Sequence, residues 1–187
     1  MLVGFAYTGS FCTISKSIEM MKRLLDKGID VLPIMSENAY NIDTRFGQAE
    51  KIRNQLIEMC SKEIIHTIVD AELLGPKIKL DALIISPCTG NTLSKIANGI
   101  TDTPVCMAAK AHLRNDKPLI IALATNDGLS ANLKNIATLL SRKNVYFTPM
   151  IQDDPINKPH SLVADFDLLE LTLNQALIGK QITKIFI

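Results

Sequence analysis

The sequence predicts a single α/β domain with a three-layer, doubly wound parallel sheet, Rossmann-like or flavodoxin-like in its strand order. Short apolar runs alternate with amphipathic segments along all 187 residues. The inner runs, "DALIIS" and "LIIALA", are apolar at nearly every position instead of alternating. Strands buried on both faces have this pattern, as in parallel sheets covered by helices. Because no linker or repeat interrupts the chain, residues 1–187 are expected to form one domain.

The strands are predicted from runs of β-branched and apolar residues that end at turn-forming residues. They are Leu2–Tyr7, Ile29–Met35, Glu63–Val69, Ala82–Ser86, Lys117–Ala124 and a last strand within Asn144–Met150.

The helices are predicted from apolar residues at three- and four-residue spacing, as in Ile14, Ile18, Met21 and Leu25. Gly28 follows the first helix, where a glycine often ends one. The remaining helices are predicted at 46–60, from Asn91 onward, at 105–113, at Leu129–Lys143 and at Ser161–Leu177.

The composition excludes several classes of function. The formal net charge is +1, aromatic residues make up 5% and Trp is absent, so a nucleic-acid-binding surface is not expected. The four cysteines and three histidines are scattered, so no metal site is expected. The N-terminal apolar run is too short for a signal peptide or a membrane span. We therefore expect a cytoplasmic protein without membrane contact and with free cysteines.

The first strand-to-helix turn, "TGSFCT", is a candidate anion site. In doubly wound sheets, ligands bind beyond the carboxyl ends of the strands, where helix N-termini point. Gly9 allows close backbone approach, and Ser10 and Thr13 offer hydroxyl groups. The alternative is a plain helix cap, which needs no ligand.

The stretch "SPCTGNTLSKIANGITDTP" after the fourth predicted strand carries a larger polar set. Asn91, Lys95 and Asn98 recur at helical spacing on one face, and Thr89 can cap the helix. A capped helix needs one of these groups, so the set predicts a hydrogen-bonding surface for a polar, planar or phosphorylated small molecule. For Lys95 alone, a solvated position is the alternative.

Two other loops offer weaker candidates. Asp43 and Arg45, after the second strand, are expected either to bind substrate or to pair with each other. Asn126 lies in "TNDG", which is also an ordinary turn sequence.

The same stretch resembles the Pro-x-Ser/Thr-x-Asn-Thr block, followed by Lys-x-Ala-x-Gly and Asp, of the FMN-binding homo-oligomeric cysteine decarboxylase family. "PVCMAAKAHLRNDKPLIIALATND" and "NVYFTPM" are similar to the family's aromatic-acid decarboxylase and flavin prenyltransferase branch. A narrower resemblance rests on "DTRFG", "AELLGPK", "NDGLSANLKNI" and "QDDPINKPHSLVADFDLL". These motifs are similar to a B-subunit branch of the family, found in endospore-forming bacteria.

The resemblance implies a flavoprotein fold, bound FMN and a homo-trimer or a dodecamer. It also implies a Rossmann-type partner, the A subunit, which uses NAD(P). Together the two subunits would oxidise a dihydrodipicolinate-type (4-hydroxy-tetrahydrodipicolinate) precursor to pyridine-2,6-dicarboxylate, in the mother cell during sporulation.

The resemblance also implies site residues by motif position. The FMN-binding positions would be Gly9, Ser10, Ser36, Ser86, Pro87, Thr89, Asn91, Met107, Ala108 and Lys110. A dicarboxylate substrate would contact Asn126, Lys95 and Arg45, whereas the catalytic residues stay unassigned.

Two departures from the family limit the chemistry that can be carried over. Gly75, Pro76 and Lys77 stand where the decarboxylases have their histidine, and Thr125–Asp127 replaces the Arg-Glu-Thr loop of the prenyltransferases. An independent FMN-dependent decarboxylase and a non-catalytic, ligand-binding or assembly subunit therefore remain as alternatives to an oxidoreductase subunit.

Overall fold

The computed structural model describes residues 1–187 as seven strands and eight α-helices around one sheet. The strands are β1 (Leu2–Tyr7), β2 (Asp30–Met35), β3 (Ala82–Cys88), β4 (Leu119–Thr125), β5 (Val145–Phe147), β6 (Met150–Ile151) and β7 (Leu162–Ala164). The helices are α1 (Ile14–Asp26), α2 (Glu37–Asn41), α3 (Ala49–Cys60), α4 (Ile68–Ala71), α5 (Gly90–Ala97), α6 (Pro104–Leu113), α7 (Leu133–Leu140) and α8 (Leu169–Leu177). No helix is both long enough and apolar enough to cross a membrane.

Five strands form the predicted parallel sheet in the order β2-β1-β3-β4-β5. The sheet then forks at β4. The first half of β4 pairs with β5 through Leu119–Ile121, and its end pairs with β7 through Ala124 and Thr125. Strand β7 runs antiparallel both to β4 and to β6, with which it forms a hairpin. The expectation of a wholly parallel sheet is therefore wrong for the β6–β7 hairpin.

Two separate apolar cores, one on each face of the sheet, confirm the three-layer prediction. Ile84 and Ile120 belong to one core, and Leu83, Ile85 and Ile121 belong to the other. Neighbouring residues of a strand point to opposite faces. A strand covered on both sides therefore needs apolar residues at every position, as in β3 and β4.

The segment Glu63–Val69 is not a strand, contrary to the prediction. Only Ile65 pairs with β2, through a single bridge to Ile34. The hydroxyl of Thr67 then accepts a hydrogen bond from Asp70 N and caps the short helix α4. The local preference of β-branched residues for strands is overridden here by this helix start.

The predicted last helix, Ser161–Leu177, begins instead as strand β7. Leu162 and Val163 pair with the end of β4, a contact between distant parts of the chain that local periodicity cannot show. The carboxylate of Asp165 then accepts from Asp167 N and starts the turn that leads into α8. Helix α3 also begins later than predicted, at Ala49, whose N–H donates to Asp43 Oδ1 at 2.8 Å.

The free side of the parallel edge strand β5 is closed by one side chain. Gln181 Oε1 accepts from Phe147 N at 2.8 Å, and Gln181 Nε2 donates to Phe147 O at 2.7 Å. The amide therefore makes the two hydrogen bonds that a further strand would make at this residue.

Candidate functional site

The turns that follow β1, β2, β3 and β4 meet at one edge of the sheet, which we call the carboxyl edge. Backbone hydrogen bonds tie these turns together: Ser36 N donates to Tyr7 O at 3.0 Å, and Thr8 N donates to Pro87 O at 3.3 Å. The structure thus brings together the turns around Gly9, Ser36 and Thr89, as the topology of a parallel sheet predicts.

Thr8 connects the turns after β1 and β3. Its side chain is 1% exposed. Its hydroxyl donates to Pro87 O at 2.7 Å and accepts from Thr89 N at 2.9 Å. No local pattern indicates this role of Thr8, because its partners lie about eighty positions away and only the folded sheet brings them together.

The turn from β1 to α1 does not need glycine for its own packing. A Cβ on Gly9 would meet no atom closer than 3.7 Å, so internal packing does not require glycine there. Neither Ser10 nor Thr13 caps the following helix with its side chain; Thr13 Oγ1 instead donates to Ser10 O at 2.9 Å. A helix N-terminus without a side-chain cap beside a small residue fits a phosphate group.

Ser36 and Ser86 contribute differently from the expectation for a ligand site. Ser36 is 8% exposed, and its Oγ accepts from Ala39 N at 3.3 Å, so it caps α2. Ser86 is fully buried, and its hydroxyl lies 2.9 Å from Ser17 Oγ of α1. The Ser86 hydroxyl therefore holds α1 on the sheet and does not reach the surface.

At the start of helix α5, on the carboxyl edge, the side chain of Thr89 is hydrogen-bonded within the chain and that of Asn91 is not. Thr89 Oγ1 caps the helix by accepting from Thr92 N at 3.2 Å. Asn91 is exposed and its side chain has no hydrogen bond within the chain. Of the predicted set on α5, Asn91 is thus the side chain that is free for a ligand.

A polar cluster around Asp127 packs directly against the start of α5. Both carboxylate oxygens of Asp127 accept from Asn132 Nδ2 at 2.9 Å, and Thr125 Oγ1 donates to Oδ1 at 2.5 Å. Burial raises the pKa of Asp127, but the hydrogen bonds from Thr125 and Asn132 outweigh it, so that the pKa lies below its usual value. The charged carboxylate therefore faces the positive end of the α5 dipole.

Gly90 makes this contact possible. A Cβ there would lie 2.5 Å from both Asn132 Nδ2 and Thr125 Oγ1. Packing against the Asp127 cluster of its own chain is therefore enough to require glycine at this position.

Lys95 is paired within the chain and is not a free cation for a dicarboxylate. Its Nζ donates to the two carboxylate oxygens of Asp102 at 2.8 and 2.9 Å. This bond raises the pKa of Lys95 and lowers that of Asp102. Asn98, predicted on the same face, lies beyond the end of α5 and donates to Ser94 O at 2.8 Å.

The predicted α6 residues are not gathered at the carboxyl edge. Ala108 is fully buried in an apolar core, and Met107 packs against the same core. Lys110 is exposed and lines a cavity with Gly99 and Arg142, near the C-terminal ends of α5 and α7. Because these helices end at the opposite edge, Lys110 is separated from the strand ends.

Of the two remaining substrate candidates, only Asn126 lies on the rim of the site. It is exposed in the turn after β4. The Arg45 guanidinium instead stacks on the Phe46 ring at 4.8 Å, and Asp43 caps α3, so these two residues do not pair with each other.

Cys88 and Cys106 are not activated nucleophiles. Cys88 is fully buried and Cys106 is 1% exposed. Burial raises the pKa of both thiols, which keeps them protonated near neutral pH. No group of three or more His, Cys, Asp or Glu side chains lies close enough to hold a metal ion.

Comparisons with known proteins identify the family of this chain. The family model described as Flavoprotein matches residues 1–166. The B subunit of dipicolinate synthase from Bacillus subtilis (strain 168) is 42% identical over 185 residues, which cover 99% of this chain and 92% of that protein.

Solved structures agree as well. The crystal structure of the dipicolinate synthase B subunit from Bacillus halodurans has a TM-score of 0.91 and 42% identity, covering 100% of this chain and 95% of that one. The FMN-dependent cysteine decarboxylase SpaF has a TM-score of 0.70 at 18% identity, with 95% of each chain covered, and shows the shared fold alone. The assignment made from motifs is thus confirmed: the chain belongs to the flavoprotein family and, within it, to the branch of the dipicolinate synthase B subunits.

Proposed function

We propose that this chain is the FMN-binding B subunit of a dipicolinate synthase. With a Rossmann-type A subunit that holds NAD(P)⁺, it would oxidise a dihydrodipicolinate-type precursor to dipicolinic acid in the mother cell of a sporulating bacterium. The observation that carries this proposal is the 42% identity to a protein of that name over 99% of the chain. The small residue Gly9, which internal packing does not require, and the helix start beside it without a side-chain cap support a flavin phosphate there.

The residues of the carboxyl edge bind and orient in this proposal. The backbone N–H of Gly9 and the hydroxyl of Ser10, whose own N–H donates to Thr8 O, would hold the phosphate. The free amide of Asn91 would hydrogen-bond the flavin or the substrate. The FMN, when bound, supplies a ring that accepts and donates electron pairs. Asn126 on the rim would contact a substrate carboxylate through its N–H₂ group.

The ionisable groups at this edge favour an oxidoreductase subunit over an independent decarboxylase. Asp127 is held by Thr125 and Asn132, and Lys95 is held by Asp102. Neither group is free to move a proton, and no histidine stands upstream of β3 at the decarboxylase position. The chain would thus position the reacting groups, while its partner supplies the final electron acceptor.

A glycine substitution tests flavin binding without disturbing the fold. Because a Cβ at residue 9 meets only ordinary contacts, Gly9→Ala should unfold at the same urea concentration as the unmodified protein. The same Cβ would occupy the approach to the phosphate. Titration with FMN, followed by flavin fluorescence, should therefore show at least tenfold weaker binding, about 1.4 kcal/mol.

The reaction is tested with the two proteins together. Addition of the FMN-loaded chain to a mixture of the precursor, NAD(P)⁺ and its Rossmann-type partner should raise the rate of pyridine nucleotide reduction. Gly9→Ala should lose most of this increase. If Gly9→Ala supports the same rate, the chain acts only in assembly. If the unmodified chain does not change the rate, the oxidoreductase proposal is wrong.

A further inference from the structure

A pocket of about 230 Å³ lies at the amino edge of the sheet, opposite the carboxyl edge. Its walls come from the segment before β3, the C-terminal end of α6 and the residue before Pro118. It is lined by Gly75, Lys79, Leu80, His112, Asn115 and Lys117, and we call it the amino-edge pocket. Its volume lies below the range of roughly 300–1,000 Å³ for cofactor sites, so a small ligand would fit.

The two lysines of the amino-edge pocket are not used elsewhere in the chain. Neither Lys79 nor Lys117 takes part in an ion pair. Lysines are common near the C-terminal end of a helix, where they can bond the last carbonyl groups. The last carbonyl groups of α6 already accept hydrogen bonds from other groups, so they do not account for Lys79 and Lys117.

The last turn of α6 is closed by the residues that follow it. Arg114 N donates to Lys110 O, and Asn115 N donates to His112 O. The Asn115 side chain donates to Ala111 O at 2.7 Å, and Asp116 N donates to Leu113 O. Since neither the α6 carbonyl groups nor a carboxylate of the chain binds them, the ammonium groups of Lys79 and Lys117 are available for an anion.

His112 presents an acceptor atom to the pocket. Its ring is 3% exposed, and Nε2 lies 2.9 Å from Pro118 O. Since a carbonyl only accepts, Nε2 carries the proton. Burial lowers the pKa of His112, so the ring is neutral and Nδ1 keeps its lone pair.

The Nδ1 atom has no partner within the chain, yet it is not sealed in the interior. Thr148 Oγ1 is the one fully buried side-chain polar atom without a hydrogen bond. The Nδ1 atom therefore retains some solvent access, and His112 is one of the residues that line the amino-edge pocket.

Asn115 supplies a second acceptor in a rigid wall. Because its Nδ2 is bonded to Ala111 O, its Oδ1 is left free. The backbone of Gly75 packs directly against this side chain: its φ is +101°, and a Cβ there would lie 2.3 Å from Asn115 Nδ2. Only glycine allows this close approach.

We propose that the amino-edge pocket binds a small hydroxydicarboxylate. The ammonium groups of Lys79 and Lys117 would hold the two carboxylates, and a ligand hydroxyl would donate to His112 Nδ1. The two lysines disfavour a ligand amine and a metal cation by charge repulsion. This site depends neither on flavin nor on the partner protein, because it lies at the other edge of the sheet.

Malate and succinate form a matched pair of probes, since they differ only in one hydroxyl. Calorimetric titration of the FMN-loaded full chain should show saturable binding of malate, and binding of succinate weaker by about tenfold. Lys79→Gln and Lys117→Gln should each weaken malate binding by about tenfold. Lys51→Gln, which removes an exposed and unpaired lysine of α3, is the control and should bind malate unchanged.

A second measurement reads His112 directly and needs no substitution. In a long-range proton–nitrogen spectrum, the Nδ1 resonance of His112 should move on addition of malate and stay in place with succinate. The proposal is overturned if malate does not bind saturably, if both lysine variants bind it as tightly as the unmodified chain, or if the two probes bind equally.

Discussion

Thr8 shows how much of the site depends on one buried hydroxyl. Thr8→Val keeps the shape of the side chain but leaves Thr89 N without a partner and removes the shorter of two bonds to Pro87 O. We expect a loss of about 2 kcal/mol in the free energy of unfolding by urea, together with weaker FMN binding. Thr138→Val is the matched control, since that hydroxyl bonds Lys134 O on the exposed face of α7. Equal losses in the two variants would contradict this role.

His112 is also expected to make stability depend on pH. Its pKa is lowered in the folded chain by burial, so the unfolded chain binds the proton more readily. The neutral ring therefore contributes its full stability above a pH of about 6.5, and that contribution is lost as the pH falls through the folded value.

His112→Gln keeps a donor for Pro118 O and removes the titration. Its melting temperature should fall less between pH 7.5 and 5.5, roughly the range of histidine titration, than that of the unmodified chain. His160→Gln, at an exposed histidine, should keep the original slope. If the melting temperatures of His112→Gln and of the unmodified chain fell equally with pH, His112 would not be the cause of the pH dependence.

At the scale of elements, the contact between α5 and the Asp127 cluster sets two effects against each other at Gly90. Alanine is preferred over glycine in a helix by about 1 kcal/mol. A Cβ 2.5 Å from two polar atoms of a bonded network costs about 1–3 kcal/mol and forces α5 to move. We expect the clash to prevail, so Gly90→Ala should lose both stability and FMN affinity, whereas Gly9→Ala loses affinity alone. Unchanged stability of Gly90→Ala would show that the cluster moves aside freely.

The edge of β5 gives a second prediction for an element. Gln181→Leu should remove both hydrogen bonds to Phe147 and lower the unfolding free energy by about 1–3 kcal/mol, measured in urea. It should also promote association through the opened edge, visible by light scattering. Gln55→Leu, at an exposed position of α3, is the control. Retention of both stability and solubility would mean that water replaces the amide at no cost.

The strands of the sheet show where prediction from sequence succeeds and where it fails. The apolar runs of β3 and β4 predict a covered parallel sheet, because burial on both faces leaves a local signature. Nothing local distinguishes β7 from a helix start, since its partner is the end of β4. The site divides in the same way: Gly9 and Asn91 are found from their turns, whereas Thr8 and the use of Lys95 by Asp102 appear only in the fold.

At the scale of the whole molecule, ligand binding and stability are linked. FMN at about one hundred times its dissociation constant should raise the unfolding free energy by about 2.7 kcal/mol, because it binds the folded chain alone. Thermal melting in a series of FMN concentrations measures this, with Gly9→Ala as the control. A melting temperature independent of FMN would argue against the flavin site.

The fork at β4 has a further consequence for how the molecule opens. The parallel ladder ends at Phe147, whereas the β6–β7 hairpin is paired with β4 at Ala124 and Thr125, beside a bond from Ser161 Oγ to Thr125 O. Such a unit can detach locally without breaking the rest of the sheet. Amide hydrogens of Val163 and Ala164 should thus exchange with solvent deuterium sooner than those of Ile120 and Ile121. We expect such an opening to expose the end of β4 and to widen access to Asn126, while the parallel sheet stays closed.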